Sequence, residues 1–533
     1  MKKWNSKNIW FTRLSVMLVT LCVGGTASAG LRMPGVFGDH MVLQRDMPVP
    51  VWGWADPGAE VTVSFADQSI TAVTDDHGAW RVALSAMPAS GESRTLHVVA
   101  STQTNASIVL TNVVVGEVWL CSGQSNMEWI MRQITNAAAE IADSHDPLLR
   151  HIKIVQRKSD FPLEDGPNEG WQPSSPLTVG TFTAVGTFFA RILREELGVP
   201  VGLIGANWGG SKIEPWTSAG GFRAIPELET LRKQVDRTWI DTDEGKAAYD
   251  SAIRQFQAWL PAAESAVAAG VRPPKAPEMP SLGPTEPTSM YNAMIHPLAP
   301  FALRGALWYQ GESNVGDLDY DFKMKALITS WRQMWGQGSF PFYYVQLTSW
   351  QPDAKIPAGG GHFCKIREVQ RKSLDIPDTG MAVIIDIGDP KDIHPANKQD
   401  VGARLARWAL HRDYGRTNIV PSGPLYSGHT IESNTVRIAF DYVGSGLMVG
   451  RKNGLEPVEE LTDMSLDRFA IAGADMKWAW ADAVIDGDTV VLSSPEVPAP
   501  VHAHYAYSAS PMGVLLYNRD GLPASPFKTD GSE

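Results

Sequence analysis

Basic residues are scarce in this 533-residue chain: 46 Lys and Arg stand against 58 Asp and Glu, a formal charge of -12. An acidic protein without a basic run is a poor match for nucleic acid and for anionic membrane surfaces. Cysteine is almost missing, with three in all, too few for a disulfide framework. Beyond the first 30 residues no apolar run approaches the length that spans a bilayer. Two catalytic signatures are absent as well. Without G-x-S-x-G the common esterase elbow is not there, and without H-E-x-x-H neither is that zinc-hydrolase motif.

The N-terminus carries a recognisable leader. Lys2, Lys3, Lys7 and Arg13 precede an apolar stretch from Ser15 to Gly25, and Ala27-Ser28-Ala29 supplies a small-residue cleavage site. The expectation is an exported protein, periplasmic or secreted, with no membrane attachment after cleavage. Removing four basic and no acidic residues takes the charge from -12 to -16. Cys22 leaves with the leader; Cys121 ends an apolar run and reads as a buried thiol.

The chain is too long for one core, so several domains are expected. After the leader (1–29), residues 30–110 alternate in short period-2 runs such as Val49–Trp54 and Glu60–Phe65, broken by turn residues, as in a small β-sandwich. Near Asn112 the pattern changes. Val113–Cys121 is almost continuously apolar, as in a strand buried on both faces of a parallel sheet. Similar runs recur at Val201–Ala206, Gly305–Tyr309, Phe342–Leu347 and Met381–Ile385, with helical periodicity over about Thr181–Leu197, Tyr320–Trp335, Lys365–Leu374 and Lys398–His411. Strands alternating with helices define an α/β domain, 111–413, interrupted by a charged, Ala-rich and then Pro-rich insertion at about 226–288. The period-2 pattern returns in a second β-domain, 414–533.

Reactive groups in α/β folds collect past the carboxyl ends of strands, and four polar clusters follow the apolar runs. In the first, Ser122-Gly123-Gln124-Ser125-Asn126-Met127, a glycine permits a tight turn that can project the Ser125 hydroxyl, while a Ser there can equally be a helix N-cap. Asn207-Trp208-Gly209-Gly210-Ser211 offers backbone N–H groups to an oxyanion or is an ordinary glycine turn. Gln310-Gly311-Glu312-Ser313-Asn314 offers side-chain amides, with Glu312 able to orient a base or cap the next segment. The fourth runs from Asp386 to Pro395. Asp392 and His394 lie two apart, so an extended backbone places both on one face, as a carboxylate-held imidazole base requires. Asp386, Asp389, Asp392 and His394 could instead gather a hard cation, or Asp392 and His394 form a purely structural pair. His296 precedes a strand and ranks below His394 as a base.

Together, GQSNM (Gly123–Met127), NWGGSKIEPW (Asn207–Trp216), WYQGESN (Trp308–Asn314) and DIHPANK (Asp392–Lys398) resemble the SGNH hydrolases, and among them the sialate O-acetylesterase family. The resemblance extends to LRMPGVFGDHMVLQ near the N-terminus and GLPASPF near the C-terminus. It implies a flavodoxin-like three-layer core with N-terminal and C-terminal β-sandwich domains, and acetyl-ester hydrolysis on a sugar without metal or other cofactor. By position Ser125 is the implied nucleophile, His394 its base and Asp392 the acid, with Glu312 as alternative because Lys391 stands where the superfamily's acid usually lies. The implied oxyanion and substrate groups are the Ser125 N–H, Gly209 or Gly210, Gln124, and an amide of Gln310 or Asn314. Acetylated sialic acid is the first substrate to consider and acetylxylan the second; a non-catalytic sugar-binding protein is the reading outside enzymology. Trp208, Trp216 and Trp308 are candidates for sugar contacts or for core packing.

Overall fold

A computed structural model describes residues 30–101, 106–283, 285–353 and 355–531. The leader, 1–29, lies outside the described residues.

One strand organises the molecule. Ser107–Gly123 pairs antiparallel with Ser90–Ala100 through its first half, then parallel with Val201–Asn207 and Gly305–Tyr309 through its second. The change of sequence pattern at Asn112 therefore falls inside a continuous strand. Asn112 takes up the change with a left-handed φ of 53°, a conformation that Asn tolerates better than most residues. The sheet it crosses runs in the spatial order Thr379–Ala382, Phe342–Val345, Gly305–Tyr309, Ser107–Gly123, Val201–Asn207, Asp146–Ile154, Asn168–Ser174. All neighbours are parallel except the last pair. The later strands are added on opposite sides of Ser107–Gly123, which makes its carboxyl end a point where strand order reverses.

Helices cover both faces. Trp119 packs against Phe189 of helix Ala184–Leu197 at 4.9 Å, and Tyr343 packs on Trp408 of helix Lys398–Arg412 at 6.3 Å. Phe342, one residue along the same strand and so on the other face, meets Trp331 of helix Tyr320–Trp335 at 5.9 Å. The burial of both faces explains why these strands read as unbroken apolar runs. Helices Glu229–Asp236 and Asp243–Ala268 occupy the charged insertion. None of the described helices is long and apolar enough to cross a membrane.

Beyond Tyr414 the described strands pair antiparallel in small sheets, including Leu425–Glu432 with Thr435–Asp441 and Phe469–Ala472 with His502–Tyr505. This region is stitched to the α/β layer by buried charge. Arg367 donates to the carbonyls of Leu347, Thr348, Ser508 and Ala509 at 2.6–2.8 Å. Arg404 grips Asp386 through two bonds of 2.6 and 2.7 Å, and Tyr517 donates to the same carboxylate at 3.3 Å.

Removing one partner of a buried ion pair leaves the other charge uncompensated, at a cost of about 3–5 kcal/mol. Asp386→Ala is therefore expected to lower the unfolding free energy by about that amount in urea denaturation. A loss below about 1 kcal/mol would show that Arg404 finds other acceptors.

Candidate active site

The site forms where Ser107–Gly123 ends between two parallel neighbours. Gly123 has φ 134°, and a Cβ there would stand 2.2 Å from the Tyr309 carbonyl oxygen. Only glycine fits. The chain is pinned as it leaves the strand, because the Gln124 N–H donates to Tyr309 O and the Trp208 N–H to Gly123 O, both at 3.0 Å. A short helix, Ser125–Glu128, starts at once. Its N-cap is Gln124, with no side-chain cap bond, so neither Ser122 nor Ser125 acts as the cap.

The Ser125 Oγ stands 2.9 Å from His394 Nε2. On the far side of the ring, Nδ1 lies 3.4 Å from Asp392 Oδ1, and the same carboxylate oxygen accepts the His394 backbone N–H at 2.8 Å. Asp392 thus holds the ring and its backbone together, although its side chain is 56% exposed, so the electrostatic grip is modest. The His394 ring stacks on Trp129 at 5.5 Å with 13° between planes. Partial burial pulls the imidazole below its ordinary value; Asp392 opposes that shift and Lys398 adds to it.

Asn126 ties the Ser125 turn to the loop that carries the imidazole. Its amide donates to Glu312 Oε1 at 2.6 Å and to the Ile393 carbonyl at 3.1 Å, and its oxygen accepts from Lys398 Nζ. Glu312 therefore serves Asn126 and has no bond to His394. Its Oε2 is buried without a hydrogen-bond partner, and burial raises its carboxyl. Gln124 reaches into the same cluster, its Oε1 accepting from the Gly311 and Ser313 N–H groups at 3.4 and 3.3 Å.

The amides of the third motif point elsewhere. Gln310 donates to Ser211 O and to Asn314 Oδ1, while its oxygen accepts from Tyr320. Asn314 donates to Glu214 and Asp317 and accepts from the Ile213 N–H. Both are buried and fully engaged in holding adjacent strand ends. Gly209 is engaged too: its N–H donates to Glu128 Oε2 at 2.6 Å, and Gln156 donates to the other oxygen of that carboxylate at 2.6 Å. Among the described residues the Ser125 and Gly210 N–H groups have no acceptor.

Other candidates fall outside this cluster. Asp386 is committed to Arg404, and no group of three His, Cys, Asp or Glu among the described residues could hold a metal ion. His296 bonds to Leu163 O. Trp216 and Trp308 are core residues, and only Trp208 is partly exposed, with Lys158 Nζ 5.3 Å from its ring centroid. Cys121 and Cys364 are free and buried. Three residues at the site carry no signal of their own in the sequence reading: Glu128, Trp129 and Lys398. Glu128 and Trp129 directly follow the first motif and Lys398 ends the fourth, which is the one clue that could have singled them out.

Known proteins share the sequence and fold of this chain. A family model described as "Carbohydrate esterase, sialic acid-specific acetylesterase" matches residues 281–411, the stretch carrying the third and fourth motifs. Mouse sialate O-acetylesterase is 32% identical over 445 residues, 77% of this chain and 78% of that protein. The human sialate O-acetylesterase is 31% identical over 447 residues, covering 77% and 76%. A crystal structure of a carbohydrate acetylesterase from Xanthomonas citri superposes with a TM-score of 0.76, at 35% identity, over 94% of this chain and all of that one. The protein accordingly takes its place among the carbohydrate esterases. More narrowly, the chain belongs to the sialate O-acetylesterase family.

Two outcomes follow from the geometry. Because burial lowers His394, its proton-accepting form persists to lower pH than in free imidazole. The acid limb of kcat/KM should therefore have its midpoint below about 6.5; a midpoint above that value would contradict the burial of the ring. Gly123→Ala forces the turn off Tyr309 O, and a displacement near 1 Å costs about 100-fold in rate. The expected result is that loss in 4-nitrophenyl acetate hydrolysis, with the circular dichroism spectrum unchanged.

Proposed function

We propose that the protein hydrolyses O-acetyl esters on carbohydrate through an acetyl-enzyme formed on Ser125. The observation that carries this reading is the 2.9 Å contact between Ser125 Oγ and His394 Nε2. His394 accepts the hydroxyl proton as Oγ attacks the acetyl carbonyl, and Asp392 beside Nδ1 stabilises the imidazolium that forms. Developing negative charge on the carbonyl oxygen is met by backbone donors. The Ser125 and Gly210 N–H groups are the available ones, each worth about 3–4 kcal/mol at a preorganised site. Gly209 joins them only if Glu128 releases it. His394 then delivers its proton to the departing sugar oxygen. Water, deprotonated by the same imidazole, attacks the acetyl-enzyme, and acetate leaves with Ser125 restored.

Gln310 and Asn314 act at one remove in this scheme, bracing the strand ends through Tyr320, Ser211, Glu214 and Asp317. Trp208 is the partly exposed aromatic available for stacking on a sugar ring, since Trp129 is already covered by His394 and Lys398.

The names of the mouse and human relatives point to acetylated sialic acid as the substrate. The alternating strands and helices, with helices on both sheet faces, support a flavodoxin-like SGNH hydrolase core over 111–413. The antiparallel regions at 30–110 and 414–533 support flanking β-sandwich domains. The basic and apolar leader supports export to the periplasm or beyond.

Acetate release from acetylated sialic acids and from acetyl-xylan oligosaccharides tests the assignment. Ser125→Ala and His394→Ala should each reduce kcat by about 10⁴-fold or more, the scale seen when such a pair is dismantled. Asp392→Asn should cost less than either, since its carboxylate is mostly solvated. Retention of wild-type acetate release by Ser125→Ala would overturn the acetyl-enzyme, and release confined to xylan would overturn the sialic acid assignment.

A further inference from the structure

Lys398 is a charge that the reaction described above does not use. It is the first residue of helix Lys398–Arg412, wholly buried, and it has no carboxylate within 4.0 Å among the described residues. A buried ammonium at the positive end of a helix is disfavoured twice, by desolvation and by the helix dipole. What holds it is local: a hydrogen bond to Asn126 Oδ1, and the ring faces of Trp129 and Tyr309 at 5.1 and 5.3 Å. A leucine or methionine would fill the space without these costs, so a role for the charge itself is indicated.

The surroundings say which role. Trp129 is the same ring on which His394 stacks, so Lys398 and His394 share a neighbour. Asn126, which tethers Lys398, also bonds the carbonyl of Ile393, the residue before His394. The charged and titratable groups around the pair are few. Asp392 faces His394 from its own loop, and Glu312 approaches from the turn after Gly305–Tyr309, reaching Lys398 through the Asn126 amide. Tyr309 contributes its ring, and the Ser125 hydroxyl meets His394 directly. Asp392 favours a protonated imidazole, and among the described residues Lys398 is the cation opposing it. Burial draws the Lys398 ammonium down to about 7. It is thus charged across the acid range in which an imidazole titrates.

We propose that Lys398 is a positioning residue: its ammonium, tethered through Asn126 against Trp129, offsets Asp392 at His394 and keeps the imidazole ready to accept the Ser125 proton. The proposal rests on the Ser125–His394 reading. Asp392 alone would orient the ring but also promote its protonation, leaving less free base at acid pH. A cation on the buried side removes that drawback without touching substrate.

The test uses Lys398→Met and Lys398→Gln in the full chain, two neutral replacements of which the second can still donate to Asn126. The His394 imidazole signal is assigned by its loss in His394→Gln, and its NMR titration is followed in the otherwise unaltered enzyme and in each variant. The expected result is a higher midpoint in both, matched by an upward shift of the acid limb of kcat/KM. The ratio of kcat/KM at about pH 5.5 to its plateau should fall by about threefold or more. A midpoint that stays or falls in either folded variant overturns the proposal, even if kcat drops at every pH, since that is what a purely structural lysine would give. Failure of the Ser125–His394 reading would appear separately, as acetate release surviving Ser125→Ala.

Discussion

The bond between Ser125 and His394 joins positions 269 residues apart, and the rest of the architecture serves to make that distance irrelevant. Parallel strands accomplish this because each of them ends on the same edge of the sheet. Whatever follows Ser107–Gly123, Val201–Asn207, Gly305–Tyr309 and the Thr379–Ala382 strand is delivered to one rim. The hydroxyl and the imidazole then need only two short, stiff connections: a glycine turn pressed against Tyr309, and a loop anchored at Asp386 and at Asn126.

Buried charge provides much of that stiffness. Arg150, Arg367 and Arg404 are all nearly or wholly inaccessible; Arg150 and Arg367 spread their donors over oxygens from separate segments, and Arg404 over Val383 O and both oxygens of Asp386. An apolar residue in the same place would pack without specifying direction, whereas a guanidinium requires its acceptors in one plane and so fixes where their loops lie. Around Ser125 the same principle operates with Asn126, Gln124, Gln310 and Asn314. Their amides link strand ends to one another. The motif residues around Ser125 are thus largely engaged with one another and with neighbouring strand ends.

Local pattern was a good guide wherever burial on both faces left only one reading. Gly305–Tyr309 and Tyr320–Trp335 coincide with the apolar run and the helical period that announce them. Asp146–Ile154 and Asn168–Ser174 were not visible in that way. Asp146-Pro147 and the charged Arg150 and Lys153 disguise the first, and Pro173 and Asn168 the second. Arg150 is tolerated in a strand interior because His40, Met41 and Asn112, from remote segments, supply carbonyls to it. No local rule anticipates acceptors contributed from elsewhere in the chain.

At the site the division is similar. The four motifs, in their order, carried the resemblance to the esterase family to which the chain belongs, and the two-residue spacing of Asp392 and His394 allowed both side chains one face. Which N–H groups remain free, where Glu312 turns, and that a lysine is buried against Trp129 and Tyr309 emerged only in the folded arrangement. The physical reason is that residue type and spacing limit what a side chain can do, while its hydrogen-bond partners are chosen by neighbours from distant segments. Gln310 and Asn314 have the chemistry of oxyanion donors, yet Tyr320, Ser211, Glu214 and Asp317 occupy them first.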